Sequence, residues 1–230
     1  KDPETAARLV RSCDINTLDM MYDIPVMDVL SSTIRAAIRA PEGYKFVVAD
    51  LNAIENRVLG WMSGCDEILN VFRDNLDPYR SFGSRWLKVP YEEITKELRT
   101  ICKPPVLGAG YMLSGGDYIE EDDRYTGLLG YADSMGITMT KEQAHDSVSV
   151  FRETYAEVPA YWDEIMLAAK LTVKKKTAYS AGPVEFTKEG PFLRMRLPSG
   201  RKLSYFKADI RNWMMPWGDK RPSLTYMGLN

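Results

Sequence analysis

Residues 45–64 read KFVVADLNAIENRVLGWMSG, and the reading of this stretch organises the rest of the chain. Lys45 to Ala49 is short, apolar and β-branched, the composition of a buried strand, and it ends in a carboxylate, Asp50. Asn52 suits the cap of a helix running from Ala53 to about Ser63, where Gly64 stops it. Ile54, Val58, Leu59, Trp61 and Met62 give that helix a broad apolar face. A carboxylate fixed at a strand end, followed by a turn that frees the Leu51 carbonyl, supplies the hard oxygens a divalent cation takes. The plainer reading makes Asp50 a helix-start residue facing the positive helix end. Spacing alone leaves both open.

Further along, residues 99–116 read RTICKPPVLGAGYMLSGG. Arg99, Lys103, Leu107 and Tyr111 recur every fourth residue. On an α-helix such positions form one slanting stripe, here cation, cation, apolar, aromatic. That order suits a nucleoside triphosphate laid along the helix, with phosphates at the cations and sugar and base at the other end. Gly108 and Gly110 would let a group approach the backbone closely. The competing reading is an amphipathic helix with solvated basic residues. Pro104-Pro105 requires either a helix that starts near Cys102 or a bent lead-in carrying Arg99 and Lys103. Gly115-Gly116 suggests a phosphate loop only weakly, because no preceding strand and no Gly-Lys-Ser/Thr ending accompany it.

Around these two stretches the chain is mostly helical. Residues 4–12 and 17–34 carry a helical rhythm, the second interrupted at Pro25, and Ala40-Pro41-Glu42-Gly43 is a turn. Residues 66–98 read as short helices joined at Asp77-Pro78 and Val89-Pro90. The acidic run from Glu120 to Asp123 lies in a polar segment. Thr140 with Glu142 and Gln143 opens a helix toward Ala156, and another runs from Pro159 to Lys176. Val184 to Phe206 alternates and is broken at Lys188-Glu189-Gly190 and Pro198-Ser199-Gly200, which predicts two or three antiparallel strands. The tail from Arg211 is rich in Trp and Met, and WMMPW at 213–217 is expected to cover a core face; its exposure would point to association. The fold class is α+β, and no strand–helix alternation supports a doubly wound sheet.

Composition sets the outer bounds. The apolar share of 45% over 230 residues excludes intrinsic disorder and allows a sizeable core. No apolar run approaches a spanning helix, so no membrane partner is expected. A net charge of −2 does not advertise nucleic-acid binding, yet a basic groove can sit on an acidic body. Cys13, Cys65 and Cys102 form no CxxC pair, which points to reduced thiols and a cytoplasmic location. The start, KDPETAARLV, has no signal-peptide pattern and no Met, and reads as a piece of a longer chain or a processed product.

Taken together, DLNAIENRVLGWMSG at 50–64 resembles motif A of the A-family (polymerase I-like) DNA polymerases, and RTICKPPVLGAGYMLSGG at 99–116 resembles their fingers-helix motif, Arg-x3-Lys-x3-Phe/Tyr-x3-Tyr-Gly. VLSSTIRAAIRAPEGYKFVVAD, leading into motif A, and LPSGRKLSY at 197–205 resemble the phage branch. The resemblance runs over nearly the whole chain and is weakest at 117–138. It implies a right-hand polymerase: a partial palm at 1–64, helix-rich fingers at 65–183, and antiparallel strands returning toward the palm at 184–230. It implies two Mg²⁺ ions, a dNTP and primer-template DNA, with Asp50 as catalytic metal ligand and the Leu51 carbonyl touching a metal. Glu55 matches the glutamate that crowds the sugar 2′ position. Arg99 and Lys103 match the cations that grip the triphosphate, and Tyr111 the tyrosine beside the nascent base pair. A phage-encoded protein of this kind would work in the host cytoplasm.

Several positions depart from the family pattern. Leu107 stands where the family has Phe or Tyr, which is expected to weaken stacking on sugar and base. Tyr79 stands where many members have a triphosphate-contacting His; it donates one hydrogen bond and carries no cation. Met112 replaces the Gly after the tyrosine. The family's second metal carboxylate lies in a His-Asp-Glu motif, whereas the single histidine here, His145, is followed by Asp146 and Ser147 in a helical context and matches by accident. One carboxylate does not complete a two-metal site. The expectation is therefore a polymerase core fragment, with the rest supplied by residues outside this sequence or by a companion polypeptide. A nucleotide- or DNA-binding module without catalysis is the alternative.

Overall fold

The computed structural model describes residues 3–12, 14–214 and 218–228. The chain divides into two compact units, residues 1–51 and 52–230. Among the described residues no helix is long and apolar enough to cross a membrane.

The first unit holds α1 (Pro3–Arg11), α2 (Ile15–Met21) and α3 (Val26–Ala37). Asp14 caps α2, its Oδ1 accepting the Thr17 backbone N–H at 3.0 Å. Pro25 separates α2 from α3 as expected, and its carbonyl accepts from the Val29 backbone N–H. Ala6, Leu18 and Val29 make the buried centre, flanked by Leu9, Val10, Tyr22 and Val26. A turn closes with the Tyr44 N–H on the Pro41 carbonyl.

The expected buried strand at 45–49 is absent. The segment joins no ladder among the described residues, and Val47 and Val48 are 87% and 89% exposed. Its composition suits a pleated, half-buried surface; what makes such a segment a strand is a hydrogen-bonded neighbour, and composition does not supply one.

The second unit begins with α4 (Ile54–Ser63), α5 (Asp66–Arg73), α6 (Pro78–Leu87), α7 (Lys96–Ile101) and α8 (Lys103–Gly108). A small hairpin, β1 (Tyr118–Ile119) and β2 (Arg124–Tyr125), carries the acidic run in its turn. Then follow α9 (Gly127–Ser134), α10 (Lys141–Thr154) and α11 (Glu157–Lys175). The Thr140 capping box forms as the sequence predicts, Thr140 Oγ1 accepting from the Gln143 N–H and Gln143 Oε1 from the Thr140 N–H.

The chain closes in an antiparallel meander in the order β3 (Tyr179–Ala181), β4 (Val184–Glu189), β5 (Phe192–Arg196), β6 (Lys202–Met214) and β7 (Lys220–Met227). Of the two expected breaks, Lys188 and Glu189 pair within β4 and the turn falls at Gly190-Pro191, whereas 198–200 is a turn as expected. β3, β7 and the extension of β6 past Phe206 go beyond the alternating stretch. β6 continues because a register shift between Phe206 and Asp209, with Lys207 at φ 48°, absorbs the loss of alternation. Of WMMPW, Trp213 and Met214 are exposed on this strand and residues 215–217 lie outside the described set.

Two buried clusters hold the unit. Phe82, Trp86 and Phe151 anchor the helical one, with ring centroids 6.0 and 6.1 Å from Phe82, and the Trp86 indole donates to Asp146 Oδ2 at 2.9 Å. Cys65 and Cys102 lie in it as free thiols, pushed up to about 11 and about 12 chiefly by burial. In the other cluster, Ala168 and Ala169 of α11 meet Val184, Phe186 and Leu193 of the sheet. Small residues on the helix allow the sheet to lie close, and Val184 and Phe186 show the period of two that turns one strand face inward.

Gly116 marks the tightest chain crossing. Its φ is +88°, and a Cβ there would lie 1.8 Å from the Thr126 carbonyl oxygen. Gly136 has a similar φ of +67° with nothing within 4 Å of the equivalent position. Gly136→Ala is expected to cost about 1 kcal/mol, the backbone strain alone, whereas Gly116→Ala should cost at least about 3 kcal/mol or prevent folding. Thermal unfolding of the two variants checks this: equal losses would place the Gly116 requirement in the backbone angle alone.

Candidate nucleotide site

The residues predicted for the site fall in both units. Asp50 and Leu51 end the first unit exposed and outside any helix or strand, Leu51 at 69% exposure. Glu55, Tyr79, Arg99, Lys103, Leu107 and Tyr111 belong to the second. Among the described residues no three His, Cys, Asp or Glu side chains are grouped to hold a metal ion. Asp50 thus presents one carboxylate, with the Leu51 carbonyl beside it in the chain.

Helix α4 starts one residue later than expected. Ala53, in the left-handed region at φ 47°, takes the cap position and makes no side-chain cap bond. Asn52 instead offers its carbonyl to Arg57 Nε at 2.9 Å, and the Arg57 guanidinium lies over the Phe72 ring. Glu55 falls in the first helical turn, where the positive helix end favours a carboxylate. Gly64 ends the helix in the left-handed region, as its sequence position predicts.

The four-residue stripe is split between two short helices. Arg99 lies in the last turn of α7, Lys103 opens α8, and Cys102 joins them. The prolines occupy the first turn of α8, the position where a missing N–H costs least. Tyr111 ends a 3-10 turn, Ala109–Tyr111. The stripe therefore forms two clusters.

The first cluster is built around Asp77, which sequence reasoning treats only as part of a helix junction. Asp77 Oδ1 accepts the Tyr79 and Arg80 backbone N–H groups, each at 3.0 Å, and caps α6. Asp77 Oδ2 accepts from Arg99 Nε at 2.9 Å and Nη2 at 2.8 Å. The Arg99 guanidinium also stacks over the Tyr79 ring, 4.7 Å from its centroid. Burial raises the Tyr79 phenol above its ordinary value, against the lowering effect of Arg99. An Asp before Pro at a helix start was the available signal for the cap; its second oxygen reaching Arg99 had none.

The second cluster lines a groove of about 410 Å³ between α4, the end of α8 and α11. Glu55, Leu107 and Tyr111 meet there with Leu59, Tyr161 and Trp162. The neighbouring Glu55 carboxylate is the main cause that raises the Tyr111 phenol above its ordinary pKa, with burial adding to it. The α11 residues were not foreseen, because nothing in their spacing relates them to residues some fifty positions earlier. Lys103 is half-buried and makes none of the ion pairs found among the described residues.

Gly108 and Gly110 do permit close approach to the backbone. A Cβ on Gly110 would lie 2.7 Å from Leu59, and one on Gly108 2.9 Å from Leu113 and Tyr131. They admit neighbouring side chains of the protein. His145 sits in α10 with Nε2 2.9 Å from the Gly116 carbonyl oxygen, and Asp146 accepts from Trp86. Both residues are engaged in contacts within the helical part of the unit.

Comparison with known proteins bears on the whole chain. It is 30% identical over 213 residues to the DNA polymerase of Bacillus phage SP02, a match spanning 91% of this chain and 31% of that protein. It is 33% identical over 110 residues to the thermostable DNA polymerase I of Thermus aquaticus, across 48% of this chain and 13% of that protein. The chain thus spans less than a third of the length of these relatives. A solved structure, the POL domain of Pol1 from M. smegmatis in complex with DNA primer-template and dNTP, aligns with a TM-score of 0.46 at 22% identity, over 80% of this chain and 26% of that one. The sequence profile of DNA polymerase family A matches residues 19–182, which take in both quoted motifs, and the chain belongs to that family.

Proposed function

We propose that this chain is the partial palm and fingers of a template-directed DNA polymerase, in which a primer 3′-hydroxyl attacks the α-phosphate of a dNTP and pyrophosphate leaves. The observation that carries this reading is the convergence of Glu55, Leu107 and Tyr111, from two separate segments, on one groove. In this reading residues 1–64 are the partial palm, 65–183 the fingers, and 184–230 strands that return toward the palm.

The protein's own residues then divide the work. Arg99 and Lys103 take the triphosphate as charge-assisted donors, and Tyr79 supports Arg99 from beneath its plane. Glu55 and Tyr111 line the groove together, and the Glu55 carboxylate would stand where a ribose 2′-hydroxyl has to fit. Leu107 offers an apolar surface to the sugar without ring stacking. Asp50 and the Leu51 carbonyl are hard oxygen donors of the kind Mg²⁺ prefers, and would hold part of its shell. The ion, when bound, supplies charge neutralisation at the reacting phosphate. A second carboxylate would come from polypeptide beyond these 230 residues, within a longer chain or from a companion. A nucleotide-binding module without catalysis of its own is the second reading, favoured by the single metal carboxylate.

Three outcomes test this. In the natural polypeptide containing this sequence, Asp50→Ala should abolish Mg²⁺-dependent primer extension while dNTP binding persists; normal extension by that variant removes Asp50 from the metal site. Replacing Arg99 and Lys103 together by Ala should weaken dNTP affinity by on the order of 100-fold, from the loss of two charged donors. Unchanged affinity would make them solvated surface charges. Glu55→Ala should raise ribonucleotide incorporation relative to deoxynucleotide; a constant ratio in single-nucleotide extension removes the sugar-gate role.

A further inference from the structure

We propose that Asp77 is a positioning residue for the triphosphate: it holds the Arg99 guanidinium by one edge so that the other edge faces phosphate oxygens. This rests on the reading of Arg99 as a triphosphate contact. The guanidinium is a planar fork with five N–H donors. Its side edge, Nε and Nη2, closes on Asp77 Oδ2 at 2.9 and 2.8 Å. One flat face is covered by the Tyr79 ring. The end edge, Nη1 with the second Nη2 proton, takes no acceptor among the hydrogen bonds of the described residues, and the side chain is 31% exposed. Two parallel N–H donors on a fixed plane match two oxygens of one phosphate.

The anchor is itself immobile. Asp77 Oδ1 is committed to the first turn of α6, and the Asp77 backbone N–H donates to the Tyr91 hydroxyl at 3.0 Å. The carboxylate therefore cannot follow Arg99 if the arginine moves, and Arg99 has one preferred orientation. Asp77 also offsets the long-range charge of Arg99. What remains at the end edge is short-range and directional, so Arg99 orients a phosphate. Lys103, a point charge without such a restraint, supplies the attraction.

The test is dATP binding by isothermal titration to the full 230-residue chain and to D77S, D77N, R99A and the D77S/R99A double variant. Ser and Asn both serve as N-caps, so α6 keeps its first turn, and matched melting temperatures verify this. R99A should weaken dATP binding about 10-fold or more, D77S and D77N about 3- to 10-fold, and D77S should add nothing in the R99A background. Equal losses from D77S in both backgrounds would make Asp77 purely structural and overturn the proposal. Unchanged binding to D77S overturns it as well, and tighter binding would mean that Asp77 competes with the phosphates. Failure of the wild-type chain to bind dATP, or an R99A variant with wild-type affinity, removes the nucleotide reading itself and the proposal with it. That pattern differs from a loss confined to the Asp77 variants.

Discussion

The second unit depends on the double burial of one helix. Along its 19 residues α11 gives Val158 and Trp162 to the helical core and Tyr161, Ala168, Ala169 and Thr172 to the sheet. A fully buried Val such as Val158 contributes roughly 1.5–3 kcal/mol, and among the described residues α4 also touches both clusters, more lightly, through Leu59 and Met62. Thr172, fully buried, satisfies its hydroxyl on the Ala168 carbonyl at 2.9 Å, so the sheet side carries no orphaned polar group from it. The same helix supplies one wall of the groove. The geometry around Glu55 and Tyr111 is thus set by the helix that carries the sheet.

A second constraint comes from two prolines. Had residues 99–111 formed one unbroken helix, Arg99 and Tyr111 would share a stripe. Pro104 and Pro105 divide it, which leaves Arg99 paired with Asp77 at the start of α6 and Tyr111 beside Glu55 of α4 at the groove. The Arg99–Asp77 pair, with both side chains near a third exposed, stabilises the fold by no more than about 1 kcal/mol. The stacking on Tyr79 adds a similar amount at most, about 0.5–1 kcal/mol. Against a core in which Phe82 and Phe151 are almost wholly buried, these are small terms. Their effect lies in orientation, since together they hold the guanidinium on one edge and one face.

Local features were the legible ones. The capping box at Thr140, the glycine stop at Gly64 and the turns at Gly190 and Gly200 each reside in a few adjacent residues, and each is found where the sequence places it. The helix rhythm of residues 4–34 and the strand rhythm of 184–206 were likewise readable from period alone. What escaped depends on partners distant in sequence. Lys45 to Ala49 has strand composition but no neighbour among the described residues. Asp77 and Arg99 are 22 residues apart with no shared pattern. Tyr161 and Trp162 reach the groove only because α11 turns them there. Family membership was legible in the two motifs, whereas their side-chain partners came from packing that no motif encodes.

The two buried thiols also allow the protein to time its own breathing. Cys102 lies at the junction of α7 and α8, and Cys65 just before α5. Burial raises the Cys102 thiol well above its ordinary pKa, so little thiolate is present near neutral pH, and burial hides the sulfur as well. An alkylating reagent can therefore modify it only while the helical core is open. The rate of labelling at Cys102 is a clock for that opening, read at the joint between the segment that carries Arg99 and the one that carries Leu107.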